Sequence, residues 1–231
     1  MVRKKGEILS KRVAIPYGIV KEMITNCSQN IKSDKPGRTR ALLSLQYALG
    51  CRVGELAKEY THHFKNIDPF EPTISEGMVK GDVTYTDKYL FIRHPNFKQA
   101  GAKRRKEKTK WHERAMVSAV REEWLYNIIL DWVKDLPELS SPIFGIRRSR
   151  ISALIDNKLK QYNPNYSTHL LRHSRATHIG EITQDPIAIK ELLGHARVET
   201  SMKYVHYTEN ILKQRLGNKR FEDVLGKVVE E

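Results

Sequence analysis

The sequence has few cysteines, no long apolar run and a shortage of acidic residues. Its 231 residues include only two cysteines, Cys27 and Cys51, which are too few for a disulfide framework. The sequence also shows no signal-like apolar region. No window approaches the roughly 20 apolar residues that a membrane-spanning helix requires. These absences argue against a secreted or membrane-spanning protein and predict one that works in the reducing cytoplasm.

The charge is strongly unbalanced. The chain has 41 Lys and Arg residues against 27 Asp and Glu residues, a formal net charge of +14 at pH 7. Such an excess attracts polyanions, and nucleic acid is the leading candidate for the partner. A basic surface that contacts only water and counter-ions is the alternative interpretation. The length is sufficient for one or two domains with a hydrophobic core.

Chemically useful side chains are concentrated between residues 169 and 207. A helix is predicted to begin at Ser167 or Thr168, whose hydroxyl groups suit the N-cap position. His169 and Arg172 are three residues apart and therefore share one face of that helix. The two side chains are placed to bind one ligand together.

A second helix is predicted from Pro186 to Gly194, because proline favours the first helical position and glycine ends helices. Its predicted buried side consists of four apolar residues, namely Ile187, Ile189, Leu192 and Leu193. His195 then lies in a turn at the helix end. Tyr204 follows in a polar, helix-compatible run over 199–207, which predicts a phenol presented to a substrate rather than packed into a core.

A further cationic candidate follows an apolar helix in the first half of the chain. The 3.6-residue periodicity predicts a helix from Arg38 to Gly50. Arg52 follows at once, and Glu55 supplies a carboxylate three residues later. An arginine at a helix junction is by itself more often an exposed residue than a functional one.

Between residues 78 and 117 the pattern changes to short alternating runs. Residues 83–85, 89–93 and 114–117 are predicted strands of a small antiparallel sheet. The connection before the last strand is crowded with cations, namely Lys98, Lys103, Arg104, Arg105, Lys106, Lys108 and Lys110. Amphipathic helices are predicted over 119–136, with Val120 among the apolar positions, and over 148–159. The predicted fold class is mainly α with a small antiparallel β-sheet.

Three separately spaced motifs resemble those of the tyrosine recombinase family, which includes phage integrases and Xer-like recombinases. They are G-x-R-x-x-E-L at 50–56, H-x-x-R-H at 169–173, and L-L-G-H at 192–195 followed by a tyrosine nine residues later. The last two motifs and the tyrosine occur in the family's order with its usual gaps. The resemblance covers about residues 38–216 and implies the recombinase catalytic fold.

The resemblance implies a role for each matching residue in DNA cleavage. Arg52 and Arg172 would bind the non-bridging oxygens of the scissile phosphate, where negative charge accumulates. Tyr204 would attack the phosphorus; a phenol ionises with a pKa of about 10 and therefore needs positive surroundings and a proton acceptor. His169 would perform that acid–base work, and His195 would donate a hydrogen bond to the phosphoryl group.

The leaving 5′ oxygen needs a proton, which a lysine of the basic connection would supply. Lys108 is the best match to the family's hairpin lysine, and Lys110 is the second choice. The implied product is a 3′-phosphotyrosyl enzyme with a free 5′ hydroxyl group. Because that covalent bond stores the phosphoester energy, neither a nucleotide cofactor nor a metal ion is required, and the sequence contains no P-loop motif.

Alternative assignments exist for several of these residues. Tyr207 competes with Tyr204 as the nucleophile, although the nine-residue spacing from His195 favours Tyr204. His173 and His206 are expected to be structural or to lie near phosphates. A metal site at His169 and His195 is disfavoured because a third ligand at a recognised spacing is missing and Arg172 would repel a cation.

The predicted division of the chain has three parts. Residues 1–37 form a basic arm or the remnant of a core-binding domain, 38–216 the catalytic domain, and 217–231 a tail that is exchanged between protomers or folds back on its own chain. The expected partners are double-stranded DNA and further copies of the chain, as a tetramer on DNA, in the nucleoid-associated cytoplasm. A type IB topoisomerase-like nicking enzyme and a non-enzymatic DNA-binding protein are the alternative functions.

Overall fold

The structure is a computed structural model that describes residues 13–27, 35–57, 59–60, 74–75, 78–96, 110–193, 195 and 197–205. Within them the α-helices are α1 (Tyr17–Thr25), α2 (Arg38–Leu49), α3 (Glu123–Lys134), α4 (Arg148–Tyr162), α5 (Thr168–Thr183), α6 (Pro186–Leu193) and α7 (Glu199–Met202). The strands are β1 (Glu59–Tyr60), β2 (Ile74–Ser75), β3 (Val83–Tyr85), β4 (Tyr89–Asn96) and β5 (Lys110–Ser118). Short 3-10 helices span Val53–Leu56 and Lys80–Asp82. This architecture confirms the predicted fold class.

The main sheet is antiparallel in the order β3-β4-β5. Its register pairs Val83 with Ile92 and Leu90 with Val117. All four of these side chains are buried in the main core, as the alternating sequence predicts for one face of a sheet. The sheet therefore packs on the helices through one face. β1 and β2 form a separate antiparallel pair.

Helix α2 lies at the centre of the helical part, and ten of its twelve residues are buried. It contacts α1, α3, α4 and α5. Two of its buried polar side chains donate hydrogen bonds to backbone carbonyl groups: the Ser44 hydroxyl to that of Arg40 at 2.9 Å, and the Gln46 amide to that of Thr168 at 3.2 Å. A helix that is buried on all sides is held rigidly, so its C-terminal end is a fixed point for the residues that follow.

The segment before residue 37 contributes to the same core. Ile15, Val20, Met23 and Ile24 are buried in the main cluster. The Ile15 amide donates a hydrogen bond of 2.8 Å to the Ser174 hydroxyl on α5. The proposed domain boundary at residue 37 stays a prediction.

Both cysteines are buried in this core as free thiols. Cys27 is 3% exposed and Cys51 is fully buried. Burial raises the pKa of each thiol, which keeps them protonated and unreactive at neutral pH.

Two apolar positions differ from the prediction. The helix expected from residue 119 begins only at Glu123, because residues 119–122 form a turn in which the Glu122 amide donates to the Ser118 carbonyl at 2.9 Å. Val120 projects from that turn and is 81% exposed. Ile187 lies in the first turn of α6 and is 60% exposed, whereas Ile189 and Leu193 form the buried side of that helix.

Several predictions concern residues outside the described ones. These residues are Lys108, His206, Tyr207 and the tail at 217–231. Among the helices that the structure describes, none combines the length and apolar character needed to cross a membrane.

Candidate active site

The Arg172 side chain joins α5 to the C-terminal ends of α2 and α6 by hydrogen bonds. Helix α5 begins at Ser167, whose hydroxyl accepts a hydrogen bond of 3.3 Å from the Leu170 amide, as predicted for the N-cap. The Arg172 side chain is 6% exposed. Its Nη1 donates to the Gly50 carbonyl, and its Nη2 donates to the Leu193 carbonyl at 2.8 Å. Two neutral carbonyl groups orient the guanidinium without neutralising its positive charge.

Gly50 makes this arrangement possible at the end of α2. Its φ of +52° lies in the left-handed region that favours glycine. A Cβ at this position would overlap the side chain of Leu193. The glycine therefore allows both the turn that ends α2 and the approach of α6, and its carbonyl remains available to Arg172.

Arg52 emerges two residues later and is held by Glu55. The Glu55 carboxylate accepts a hydrogen bond of 2.7 Å from the Arg52 backbone amide and forms an ion pair of 3.0 Å with Arg52 Nη1. The Glu55 side chain is 3% exposed, and that of Arg52 is 33% exposed. The buried carboxylate thus fixes the direction of an arginine that still reaches solvent.

Arg52 and Arg172 lie in one electrostatic environment. Burial is the main cause that lowers the pKa of Arg172, and the positive charge of Arg52 lowers it further. Glu55, Cys51 and Tyr204 act in the opposite direction. Two guanidinium groups that repel each other favour a nearby anion. The two arginines predicted from separate motifs converge here.

Tyr204 is buried, which corrects the prediction of an exposed phenol. The ring is 7% exposed and packs in a small apolar cluster with Ala176, Ile189 and Leu193. The polar run around it indicated exposure, but α7 is only four residues long, and the Tyr204 carbonyl that follows it lies beside Gly180 on α5. The tyrosine thereby lies against the helix that carries Arg172.

Two imidazole rings flank the phenol. The His173 ring centroid is 5.2 Å from that of Tyr204, and His173 Nδ1 is 3.3 Å from the phenolic oxygen. The His195 ring stacks on the Tyr204 ring, with 6.4 Å between the centroids and 17° between the planes. Lys203 Nζ lies 4.9 Å from the centroid of the Tyr204 ring. The surroundings of the phenol are therefore basic and cationic.

His195 is oriented by a buried hydroxyl group. Its Nδ1 is 2.8 Å from Ser201 Oγ, and Ser201 is fully buried. Its backbone amide donates to the Lys190 carbonyl at 3.0 Å, which holds it at the end of α6. When the Ser201 hydroxyl donates to Nδ1, the ring proton lies on Nε2.

The backbone of Tyr204 approaches α5 at Gly180. A Cβ at residue 180 would overlap the carbonyl oxygen of Tyr204 and come within 3.3 Å of the Ile189 side chain. Gly180 is thus the point at which the tyrosine segment docks on the helix.

The remaining predicted residues lie elsewhere. His169 is exposed in the first turn of α5, one turn before Arg172. Lys108 lies outside the described residues. Lys110 is the first residue of β5, where it pairs with Asn96 of β4.

Sequence reasoning missed the contacts of His173, Ser201 and Gly180. His173 is four residues after His169 and so shares its helix face, which was a usable signal. The Ser201 contact depends on how α7 folds back, and no spacing rule predicts it.

Comparison with known proteins decides the family. The sequence pattern described as the phage integrase family matches residues 76–210, more than half of the chain. The chain belongs to the phage integrase family. Arg172, His195 and Tyr204 lie within the matched residues of this family member, and Arg52 lies before them.

Curated relatives of this phage integrase family member include the tyrosine recombinase XerD of Rickettsia conorii. The two are 28% identical over 205 residues, which cover 85% of this chain and 60% of XerD. The chain thus spans about 60% of the length of this relative.

Solved structures of recombinases share the fold of this phage integrase family member. The XerH site-specific recombinase bound to difH substrate gives a TM-score of 0.55 at 19% identity, covering 85% of this chain and 50% of that one. The Tn1549 transposon integrase in complex with circular intermediate DNA gives 0.52 at 14% identity, with coverages of 90% and 65%. At these identities the likeness establishes the fold alone, which is that of tyrosine recombinase catalytic domains.

Proposed function

We propose that this protein is a site-specific DNA recombinase that cleaves and rejoins DNA through a tyrosine nucleophile. One observation carries the proposal: Tyr204 lies in the electrostatic environment of Arg172, which also includes Arg52, and its phenol is flanked by two imidazoles. A permanently charged anion site beside a tyrosine oxygen suits attack on a phosphodiester.

The two arginines would bind the scissile phosphate. Arg172 is preorganised by the carbonyl groups of Gly50 and Leu193, and Arg52 by the carboxylate of Glu55. Preorganised donors stabilise the charge that accumulates in the transition state without further reorganisation. The family relatives named recombinases or integrases support this assignment, as does the +14 charge for double-stranded DNA as the substrate.

Cleavage would then proceed by one substitution at phosphorus. The phenolic oxygen of Tyr204 forms a bond to phosphorus while the bond to the 5′ oxygen breaks, which leaves a 3′-phosphotyrosyl linkage and a 5′ hydroxyl group. We assign proton donation to the leaving oxygen to Lys108, phosphoryl hydrogen bonding to His195 and acid–base support to His169. Attack of a 5′ hydroxyl group on the linkage reverses the step and joins the strands.

The active assembly is proposed to be a tetramer on DNA that the tail at 217–231 holds together. Removal of residues 219–231 is expected to reduce the synaptic complex in gel-shift assays more than it reduces single-strand cleavage. An unchanged synaptic complex would contradict this role of the tail.

The experiment that tests the function is covalent trapping on a nicked suicide DNA substrate. The wild-type protein is expected to form an adduct that survives denaturation, and Tyr204→Phe is expected to abolish it. Tyr207→Phe is the matched control, since it removes the same hydroxyl group three residues along, and it should retain the adduct. Sequence-specific binding without any adduct would instead indicate a DNA-binding protein without cleavage activity.

A further inference from the structure

His173 contacts the atom that performs the proposed attack. We propose that His173 is the base that accepts the phenolic proton of Tyr204 during cleavage and returns it during rejoining. The proposal rests on the proposed function, and it assigns a catalytic role to a histidine that the sequence motifs leave without one.

The geometry brings the two groups within reach of each other. His173 Nδ1 is 3.3 Å from the Tyr204 phenolic oxygen, a long hydrogen bond of the kind that tightens when a catalytic site engages its substrate. The ring planes are inclined by 53°, and the nitrogen contact is with the hydroxyl oxygen. His173 is half-buried and therefore retains limited access to water.

The backbone of His173 is fixed on both sides. Arg172 before it is anchored to the carbonyl groups of Gly50 and Leu193. Arg175 after it is buried and paired with Glu122. The His173 carbonyl itself accepts a hydrogen bond of 3.1 Å from the Thr177 hydroxyl. The imidazole is thus presented from a rigid helical turn, as a base of defined position requires.

His195 and His169 fit the role of proton acceptor for Tyr204 less well. His195 lies alongside the Tyr204 ring, with its plane inclined by only 17°, and its Nδ1 is engaged by Ser201. His169 is exposed at the start of α5, a full turn away from His173. Within the described part of the chain, the hydrogen bond to the phenolic oxygen of Tyr204 is made by His173.

The phenolic proton moves to His173 in cleavage and returns to Tyr204 in rejoining. In the neutral tautomer with its hydrogen on Nε2, His173 Nδ1 accepts the phenolic hydrogen bond. As the oxygen of Tyr204 bonds to phosphorus, its proton moves to Nδ1 and the 5′ oxygen leaves with a proton from the group assigned to Lys108. On rejoining, the 5′ hydroxyl group attacks phosphorus and returns its proton to the group assigned to Lys108, while the departing phenolate regains its proton from the His173 imidazolium.

The charged groups around the pair are mainly cationic. On α5 the cationic neighbours of His173 and Tyr204 are Arg172 and, one turn after it, Arg175. The chain after α6 contributes His195 and Lys203. Arg52 interacts electrostatically with Arg172 and is therefore a more distant neighbour. The scissile phosphate then offsets part of this positive charge, so the imidazolium that forms is stabilised.

The first test is the pH dependence of single-turnover cleavage of the suicide substrate. The wild-type rate is expected to fall below about pH 6.5, the ordinary pKa of an imidazole. His173→Asn keeps an amide near the position of Nδ1 but has no basic nitrogen, so we expect a rate lower by about 100-fold and no acidic limb. His178→Asn makes the same substitution in the buried network of the same helix, and its cleavage rate should still fall at acidic pH. Circular dichroism at each pH checks that the variants are folded. A His173→Asn variant with the wild-type pH profile would overturn the proposal.

The second test needs neither DNA nor activity. Imidazole 15N chemical shifts of the intact protein should show an unprotonated Nδ1 on His173 near pH 7, and Tyr204→Phe should shift that signal while it leaves His178 unchanged. A protonated Nδ1, or no response to Tyr204→Phe, would overturn the assignment of His173 as proton acceptor.

The two tests separate the possible failures. An adduct that depends on Tyr204 together with an unaltered His173→Asn profile contradicts the role of His173 and leaves the recombinase function intact. Absence of any wild-type adduct contradicts the proposed function and the reaction role of His173 together, even where the 15N shifts confirm the contact. An altered profile and an Nδ1 response to Tyr204→Phe support both.

Discussion

Arg175 on α5 forms a bidentate ion pair with Glu122, with nitrogen–oxygen distances of 2.5 and 2.8 Å. The Arg175 side chain is 3% exposed and that of Glu122 is 15% exposed. The guanidinium carbon also lies 4.9 Å from the centroid of the Tyr47 ring on α2. The pair therefore joins α5 to the start of α3 and to the central helix, one turn away from Arg172.

Loss of this carboxylate is expected to destabilise the fold. Glu122→Gln leaves a buried guanidinium without its counter-charge, and we expect the free energy of unfolding to fall by about 3–5 kcal/mol. Urea denaturation followed by circular dichroism measures the change. Glu123→Gln is the matched control, because that side chain is exposed at the first turn of α3, and it should cost less than about 1 kcal/mol. Equal losses for the two variants would contradict the importance of the pair.

His178 makes stability depend on pH. Burial, followed by the charge of Arg175, lowers the pKa of His178 from 6.5 to about 4, and its Nδ1 is 2.7 Å from the Tyr47 hydroxyl. The unfolded chain therefore binds a proton at a higher pH than the folded one does. The stability that His178 contributes is fully present above pH 6.5 and is lost as the pH falls toward 4.

The expected loss is roughly 3 kcal/mol, at about 1.4 kcal/mol for each pKa unit. Urea denaturation between pH 7 and pH 4 measures it. His178→Gln lacks a titrating group at this position, so its stability should fall less steeply over the same interval. Parallel pH profiles for the two proteins would show that His178 is not the source of the effect.

Gly180 is expected to control the docking of Tyr204. Gly180→Ala introduces a methyl group where the Tyr204 carbonyl lies, and the segment has to move. We expect cleavage of the suicide substrate to fall by about 10-fold to 100-fold, because a displacement of an ångström at a reacting group is costly. Gly18→Ala is the control: nothing lies within 4 Å of its Cβ, and alanine in α1 should leave cleavage unchanged. Wild-type cleavage by Gly180→Ala would contradict the docking role.

The two arginines are expected to differ when each is replaced by lysine. Arg172→Lys cannot bridge the carbonyl groups of Gly50 and Leu193, so it should lose about 1–3 kcal/mol of stability as well as at least about 100-fold in cleavage. Arg52→Lys should reduce cleavage too. Its side chain is 33% exposed, however, and stability should change by less than about 1 kcal/mol. Thermal unfolding together with single-turnover cleavage separates the two effects.

Local signals in the sequence predict most of the elements. The hydroxyl of Ser167 caps α5 as expected, and the alternation over residues 83–93 predicts strands β3 and β4 and their buried face. Such signals involve residues a few positions apart, where backbone geometry alone determines which side chains share a face.

Contacts between distant residues were beyond such reasoning. Arg172 and the carbonyl of Gly50 are 122 residues apart, and Arg175 and Glu122 are 53 apart. The burial of Tyr204 depends on Gly180, whose missing side chain admits the tyrosine segment, and the polar run around the tyrosine indicated the opposite. Resemblance in motifs predicted which residues lie together, and packing determined the contacts they make.

The burial of both native thiols has a practical use in following this protein on DNA. Since burial raises the pKa of Cys27 and Cys51, maleimide dyes will react slowly with them as long as the chain is folded. A cysteine introduced at Leu139, which is 72% exposed, offers a selective attachment point without prior removal of either native cysteine. Fluorescence measurements of the proposed assembly and the proposed strand exchange therefore become possible with an otherwise unaltered sequence.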